Sequence, residues 1–598
     1  GPCRFPLSSL CYREGYPRPQ FVREEYTDLC GEWSFAFDDE DAGEGARWFE
    51  RFPEGKKILV PFSYQTEKSG IGDTGVHEAV WYARRAEYDV RALKKKRLLL
   101  HFEGCDYLTK VWVNGEFVGS HRGGYCRFSF DITEQVKRKK GEAFIVVRAE
   151  DTLEAVQPRG KQSDTGFSFG CMYTDTTGIW KKVWTETVSE NYLESVKITP
   201  SFRDYYVEFE AALHKAEPGC SLDIRVTFGD GLISETTVQF TRRIANVKAD
   251  LHCDADFFRV YYWTPEHPNI YDVEFVLRRG TEVLDRVGSY FALAEYRAEG
   301  NCLVLNCNPV YMKMVLVQGY YRNSGMTAPD EQAYIKDILL AKELGFNGIR
   351  MHQKIEDERF YYYADILGMM VWCEMPSPFE CKSETADKLL TEWTEAVRQN
   401  YNHPAIVAWV PVNESWGVPR IVCDGMQQAL SLALVYATKA YDGRRPVISN
   451  DGWEHTESDI VTLHNYDQDP EGLYRFYGDL PRALRGENVV DYMQTRLPFA
   501  KGFAYRGQPV IVSEFAGIGY RSGAAEGWGY GGTVKSAGEF VSRLKGMVSA
   551  LRRIDGICGF CVTQLTDVET EINGLTDIDR NPKAPVALLR GAIAGGKD

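Results

Sequence analysis

At 598 residues the chain is too long for one hydrophobic core, and about three or four domains are expected. With 44% hydrophobic and 26% charged residues it has an ordinary globular composition, and no run approaches the roughly 20 apolar residues of a membrane span. A formal net charge of −15 argues against nucleic acid as a partner, because phosphate binding needs basic patches.

The start, Gly1-Pro2-Cys3-Arg4, shows no basic segment followed by an apolar one, so no signal peptide is expected. It also lacks an initiator Met, which leaves localisation open with the cytoplasm as the expectation. Fifteen cysteines without a repeated spacing suggest reduced thiols. Cys558 and Cys561 lie in a strand-like run, Gly556 to Val562, and are expected buried, unpaired and free of metal. The histidines show no metal-ligand spacing.

Residues 1–187 read as all-β. Lys110 to Val118 forms two short strands about Asn114-Gly115, a strong hairpin signal. Further short strands fall at Leu98–Phe102 and Phe144–Val147. A second all-β segment, 188–296, has the repeated strands of a small sandwich, among them Tyr206–Phe209 and Leu222–Phe228.

From 297 to 598 the texture changes to strand–helix alternation. Glu331 to Leu344 reads as a helix with Ile335, Ile338 and Leu339 on one face, stopped by Gly345. Eight strands are expected, ending near Val317, Ile349, Val371, Val412, Ser449, Leu463, Val512 and Val562. Eight parallel strands separated by helices make a (β/α)₈ TIM barrel.

Chemistry in such a barrel gathers at the carboxyl ends of its strands. The residues just beyond the expected ends are Gln318; Arg350 and His352; Trp372 and Glu374; Asn413 and Glu414; Asn450 and Asp451; His464 and Tyr466; Glu514; and Gln564. Glu414 and Glu514 carry the most information. Two carboxylates facing one another across a pocket are the minimum apparatus for breaking a glycosidic bond: one protonates the leaving oxygen, the other attacks or activates water.

Several segments carry a resemblance: Val111 to Gly119 with Gly123-Gly124-Tyr125, Thr177 to Trp180, Leu344 to Arg350, Asn402-His403-Pro404-Ala405-Ile406, and the two glutamate motifs. Through them the chain resembles glycoside hydrolase family 2, the family of β-galactosidases, β-glucuronidases and β-mannosidases. The resemblance implies an N-terminal jelly-roll, an immunoglobulin-like sandwich and a catalytic TIM barrel. It also implies Glu414 as general acid/base and Glu514 as nucleophile of a retaining, exo-acting β-glycosidase that needs no cofactor. Larger β-galactosidases bind Mg²⁺ and Na⁺ near the acid, but no convincing ligand set is visible here, and no metal is expected.

The residues fit those roles. Asn413 can hydrogen-bond a sugar 2-hydroxyl, and Tyr466 can donate to Glu514 or pack at its strand end. Glu414 must hold a proton when substrate binds, which calls for apolar neighbours such as Trp409 and Trp416. Trp416 is read as a sugar platform or a core aromatic, and His352 as a substrate contact or a structural histidine. Arg350 is read as pairing with a carboxylate near the nucleophile or as scaffold, and Trp528 as a rim contact or a loop anchor. Gln318, His464 and Gln564 are candidate hydroxyl partners, and Glu374 completes the rim. The loops 157–162 and 172–175 are expected to wall the barrel mouth into a pocket.

Family members acting on glucuronides grip the carboxylate with an Asn-x-Lys pair after strand eight. Here that stretch holds Asp567, Glu569 and Glu571 and no Lys. A neutral glycone, β-galactoside first, is therefore the expectation, with a uronide, arabinoside or galactofuranoside as alternatives and Arg322, Lys354 or Arg521 as substitute cations. A non-catalytic carbohydrate-binding protein is the rival of another class, disfavoured because both carboxylates are present. Oligomeric state stays open, a homo-oligomer included.

Overall fold

Asn114 and Gly115 take positive φ, 54° and 82°, and turn the strand Leu108–Val113 back into Glu116–Arg122. The expected hairpin forms because both residues tolerate the left-handed region. The computed structural model describes residues 13–252, 259–488, 496–521 and 527–595. The hairpin edges a six-stranded sheet with Lys56–Val60, Gly31–Phe37, Ala79–Glu87 and Glu142–Glu150. A four-stranded sheet of Tyr26–Asp28, Val183–Ser189, Lys96–Phe102 and Phe128–Asp131 faces it. Alternate residues such as Val111, Val113, Ile145 and Val147 meet Leu98, Leu100 and Phe102 between the sheets, giving a jelly-roll sandwich.

An immunoglobulin-like sandwich follows. Leu193–Ser201, Tyr206–Leu213 and Ile244–Asp250 form one sheet; Gly231–Gln239, Cys220–Phe228, Tyr271–Arg279 and Glu282–Phe291 form the other. Its core is Phe209, Leu222, Ile224, Phe275 and Phe291.

Seven strands of the barrel run parallel: β1 (Met312–Val317), β2 (Gly348–Met351), β3 (Met370–Glu374), β4 (Ile406–Val410), β5 (Val461–His464), β6 (Val510–Ala516) and β7 (Ile557–Thr563). Their order is β4-β3-β2-β1-β7-β6-β5. The strand expected to end at Ser449 closes the ring as an irregular segment instead. Ile448 N donates to Trp409 O (2.9 Å) and Asp451 N to Val412 O (2.8 Å) on the β4 side. Towards β5, Gly452 N is satisfied by Thr462 Oγ1 (2.9 Å), and Ser449 N by Ser458 Oγ (3.0 Å). Side chains take backbone donors that a regular ladder would have paired, so no continuous strand forms.

Helix α1 (Glu331–Glu343) starts on an Asp330 cap and ends before Gly345, whose φ is 97°. Its buried stripe is Tyr334, Ile338 and Ala341, with Tyr334 against Phe360 of α2 (Glu358–Leu367). The expected face is thus corrected: Leu339 is exposed and Ile335 half-buried, because the i, i+4, i+7 stripe starts one residue earlier, at an aromatic. Cys561 is buried as expected, but Cys558 is only half-buried. Three residues apart on one strand, the two thiols leave opposite faces, and both are free.

The jelly-roll docks on the barrel through buried polar contacts. Lys181 Nζ donates to Tyr125 O, Ile355 O and Glu356 O, and Arg127 joins Glu103 to Glu358. The Asn402-His403 motif does structural work at the other sandwich. Asn402 exchanges hydrogen bonds with Ile198 N and Val196 O (2.8 Å each), while His403 pairs with Asp365 (2.7 Å).

Candidate active site

Arg350, fully buried on β2, organises the barrel mouth. Its Nε donates to Glu374 Oε2 (2.8 Å), Nη1 to Glu514 Oε1 (2.6 Å) and Nη2 to Asn413 Oδ1 (2.6 Å), with Asp451 Oδ2 at 2.8 Å. Burial works against its charge, but Asp451, Glu374 and Glu514 outweigh that and hold it protonated. Its carboxylate partners are thus Glu514, Glu374 and Asp451.

Glu514 lies within β6 rather than beyond it, because the strand runs on to Ala516. Burial alone would raise its pKa, yet His464, Arg350, His352 and Lys161 bring it down to about 2. Tyr466 donates a hydrogen bond to it and stacks on Tyr530, ring centroids 4.2 Å apart.

Glu414 follows β4 in a strained turn. It and Ser415 both take positive φ, 51° and 60°, which costs of order 1 kcal/mol per non-glycine residue. Hydrogen bonds offset this: Glu414 N to Asp451 O (2.9 Å), Ser415 N to Asn450 Oδ1 (2.9 Å), and Ser415 Oγ to Glu454. The turn leaves the Glu414 side chain 21% exposed toward the mouth. Its Oε1 lies 2.7 Å from His464 Nδ1, and His464 Nε2 lies 3.1 Å from Asp451 Oδ2. Burial would strip His464 of its proton, but Glu514, Asp451 and Glu414 raise its pKa to about 10. One oxygen each of Glu414 and Glu514 and a ring nitrogen of His464 lie within 4.8 Å of one another. Such a trio has the spacing to hold a metal through one carboxylate oxygen of each glutamate and a neutral His464 ring nitrogen.

Asn413 Nδ2 is buried without a hydrogen-bond partner, leaving a donor for a ligand. His352 sits between Glu374 Oε1 (2.8 Å) and Arg350 Nη2 (3.1 Å); burial first, then Arg350 and Lys161, push its pKa far down and keep it neutral. Glu374, buried, is raised to about 7 despite Arg350. Gln318 Nε2 bonds Gln564 Oε1 (2.7 Å) and Glu571 Oε2 (2.9 Å), so two expected hydroxyl partners hold each other, although Gln318 Oε1 is unpaired. Half-buried Trp416 meets Phe379 edge-on at 6.0 Å. Trp409 is buried core bonded to Asp442, not a neighbour of the mouth. Trp528 donates to Gly170 O (2.9 Å), anchoring the barrel rim to the jelly-roll.

Sequence reasoning missed Lys161. Arg159 N and Gly160 N both bond Ser377 O, and Gly160, at φ 64°, lies so close to Gln353 O that a Cβ would sit 2.3 Å from it. The jelly-roll loop thus enters the barrel mouth and carries buried Lys161 with it. Lys161 Nζ stands 3.9 Å from Glu571 Oε1, beyond hydrogen-bonding range. Burial opposes its charge, but Glu571, Cys171, Glu514 and Glu414 raise its pKa. The expected substitute cations are engaged: Arg322 by Asp579 (2.8 Å), Lys354 by two carbonyls and Glu356 (2.5 Å), and Arg521 beside Asp567 (3.7 Å).

Residues 26–155 match the family model described as the sugar binding domain of glycosyl hydrolases family 2, 191–293 the model of that family's name alone, and 297–517 its TIM barrel domain. A protein of Formosa agariphila, provisionally named a β-glucuronidase, is 30% identical over 357 residues, covering 57% of this chain and 40% of its own. A β-galactosidase of Thermoanaerobacter pseudethanolicus is 27% identical over 345 residues, covering 56% and 44%. The matches thus span less than half the length of these relatives. The crystal structure of Ruminococcus gnavus β-glucuronidase superposes with TM-score 0.77 over 97% of this chain and 99% of that one, at 18% identity. With the family's sandwich, central and barrel models matching in sequence order, the chain belongs to glycoside hydrolase family 2.

Proposed function

We propose that the protein is a retaining β-glycosidase that removes a terminal sugar by double displacement. The observation that carries this reading is the approach of Glu414 and Glu514 oxygens to within 4.8 Å. Inverting enzymes hold their carboxyl groups roughly 6.5–9.5 Å apart to admit a water; retaining ones hold them about 5–5.5 Å apart. Glu514, ionised, attacks the anomeric carbon as the glycosidic C–O bond breaks, and Glu414 gives a proton to the leaving oxygen. Glu414 then takes a proton from water, whose oxygen displaces Glu514 from the sugar. Asn413 Nδ2 serves the 2-hydroxyl, and Tyr466 orients Glu514. Following the anomer of the first-formed product by ¹H NMR tests this: the β anomer is expected, and the α anomer overturns it.

The glycone is proposed to be a uronate, a reading at odds with the neutral sugar expected from the segment after the last strand. Lys161 supports it, because a buried ammonium outside hydrogen-bonding range of its carboxylate neighbour suits a sugar carboxylate. The three acids thought to repel a uronate are engaged: Asp567 by Lys583 (2.6 Å), Glu569 by Thr174 (2.9 Å) and Tyr320, and Glu571 by Gln318 (2.9 Å). A β-galacturonidase of Eisenbergiella tayi has the same fold (TM-score 0.73). Comparing nitrophenyl β-glucuronide, β-galacturonide and β-galactoside decides it: higher kcat/KM on the neutral sugar overturns the uronate reading and leaves the double displacement standing.

A further inference from the structure

Lys161 opens a hairpin whose far end is apolar. Tyr173 N donates to Lys161 O (3.0 Å) and Ser163 N to Tyr173 O (2.8 Å). Phe169 and Met172 exchange backbone hydrogen bonds (3.2 and 2.8 Å) about Gly170, whose φ is 53°. Gly170 O accepts from Trp528 Nε1 (2.9 Å) and Thr570 Oγ1 (3.4 Å), which fixes this tip to the barrel rim. The adjoining Cys171 lies close enough to Lys161, Glu571 and Glu414 for all three to act on its thiol.

Six aromatic rings are exposed among the described residues, and three of them stand on this rim: Phe167 (62%), Phe169 (43%) and Tyr530 (37%). Phe167 and Phe169 meet edge to face at 6.5 Å, and Tyr530 meets Trp528 in the same way at 4.9 Å. Exposed Val76 continues the strip beside Gly166. Apolar side chains scattered singly over a surface need no explanation, but a strip gathered beside a charged pocket marks a ligand surface. The hairpin's hydroxyls are spent within it: Ser163 Oγ on Thr165 Oγ1 (2.8 Å), and Ser168 Oγ on Met172 O (3.0 Å). Ring faces are what the tip presents.

We propose that Phe167, Phe169 and Tyr530 form the aglycone subsite, and that the leaving group it takes is aromatic rather than a second sugar. This rests on the double displacement by Glu414 and Glu514. The leaving oxygen departs at Glu414, and the hairpin tip stands beside it, so the aglycone passes across these rings. A planar apolar group gains by covering them, whereas a sugar there needs hydroxyl partners that phenylalanine lacks.

Transfer to added alcohols tests the subsite. With the nitrophenyl glycoside of the preferred glycone as donor, an alcohol oxygen replaces water at the anomeric carbon, displaces Glu514 and gives its proton to Glu414. The ratio of transfer to hydrolysis compares two fates of one glycosyl-enzyme, so donor binding and the folded fraction of a variant cancel. Saturable transfer to 2-phenylethanol is expected, at lower concentration than to 1-butanol or methyl β-glucoside. Phe167→Ala and Phe169→Ala should each raise the half-saturating concentration of 2-phenylethanol about three- to tenfold. No preference over 1-butanol, better transfer to methyl β-glucoside, or an undiminished preference in both variants overturns the aromatic subsite while the double displacement stands. Failure to release nitrophenol from any glycoside overturns the double displacement and this subsite with it.

Discussion

His464 Nδ1 lies 2.7 Å from Glu414 Oε1. Through its other nitrogen, 3.1 Å from Asp451 Oδ2, the ring joins the proposed acid to the carboxylate that also holds Arg350. A protonated imidazole at that position donates to Glu414 on one side and to Asp451 on the other. Exchange of His464 therefore acts on Glu414 without removing a carboxylate.

That bond gives a pH signature. His464 is raised from an ordinary 6.5 to about 10, so its stability contribution is complete below pH 6.5 and is lost as pH climbs toward 10. Urea melts at rising pH should show a falling unfolding free energy over that window. The His464→Asn variant should lose this slope, and its alkaline activity limb should move. An unchanged slope in the variant counts against a proton on His464.

The two glutamates should part company when removed. Glu514→Ala is expected to abolish turnover. Glu414→Ala should slow poor leaving groups by about 10²–10⁴-fold while sparing nitrophenyl substrates. Azide should restore the latter variant and yield a β-glycosyl azide, detectable by mass spectrometry and NMR. An α-azide, or rescue of Glu514→Ala instead, reverses the assignment.

Lys161→Met should lower kcat/KM on the preferred uronide by about 10²-fold or more, as loss of one partner of a buried ion pair does. The matching neutral glycoside should be hydrolysed no worse. Equal losses on both would assign Lys161 to holding the mouth together rather than to the sugar carboxylate.

Gly160→Ala should displace the same lysine from a distance. The new Cβ meets Gln353 O at 2.3 Å, and φ at 64° is strained for any L side chain. The melting temperature should fall, with uronide kcat/KM falling more than that of the neutral sugar. If stability drops while selectivity is unchanged, Lys161 does not depend on this loop geometry.

Much of the barrel was legible because its strands are buried on both faces and read as apolar runs, so Glu414 and Glu514 stood out after Val412 and Val512. The closing segment 446–451 was misread as regular because its apolar residues, Val447 and Ile448, say nothing of the serine and threonine hydroxyls that capture its backbone. Leu339 and Cys558 were misplaced because periodicity fixes a face only to about one residue. Lys161 was not singled out although its loop, 157–162, was expected at the mouth: a loop has no period to say which of its side chains points inward, and its partners stand in a different domain of the chain.

The jelly-roll loop lodged against Gln353 and Ser377 has a consequence for how this protein changes over time. Bond cleavage is proposed to reside in the barrel, while the ammonium proposed to meet the sugar arrives from a part of the gene far upstream. Exchange of that upstream stretch could swap one sugar preference for another while every reacting atom stays where it is.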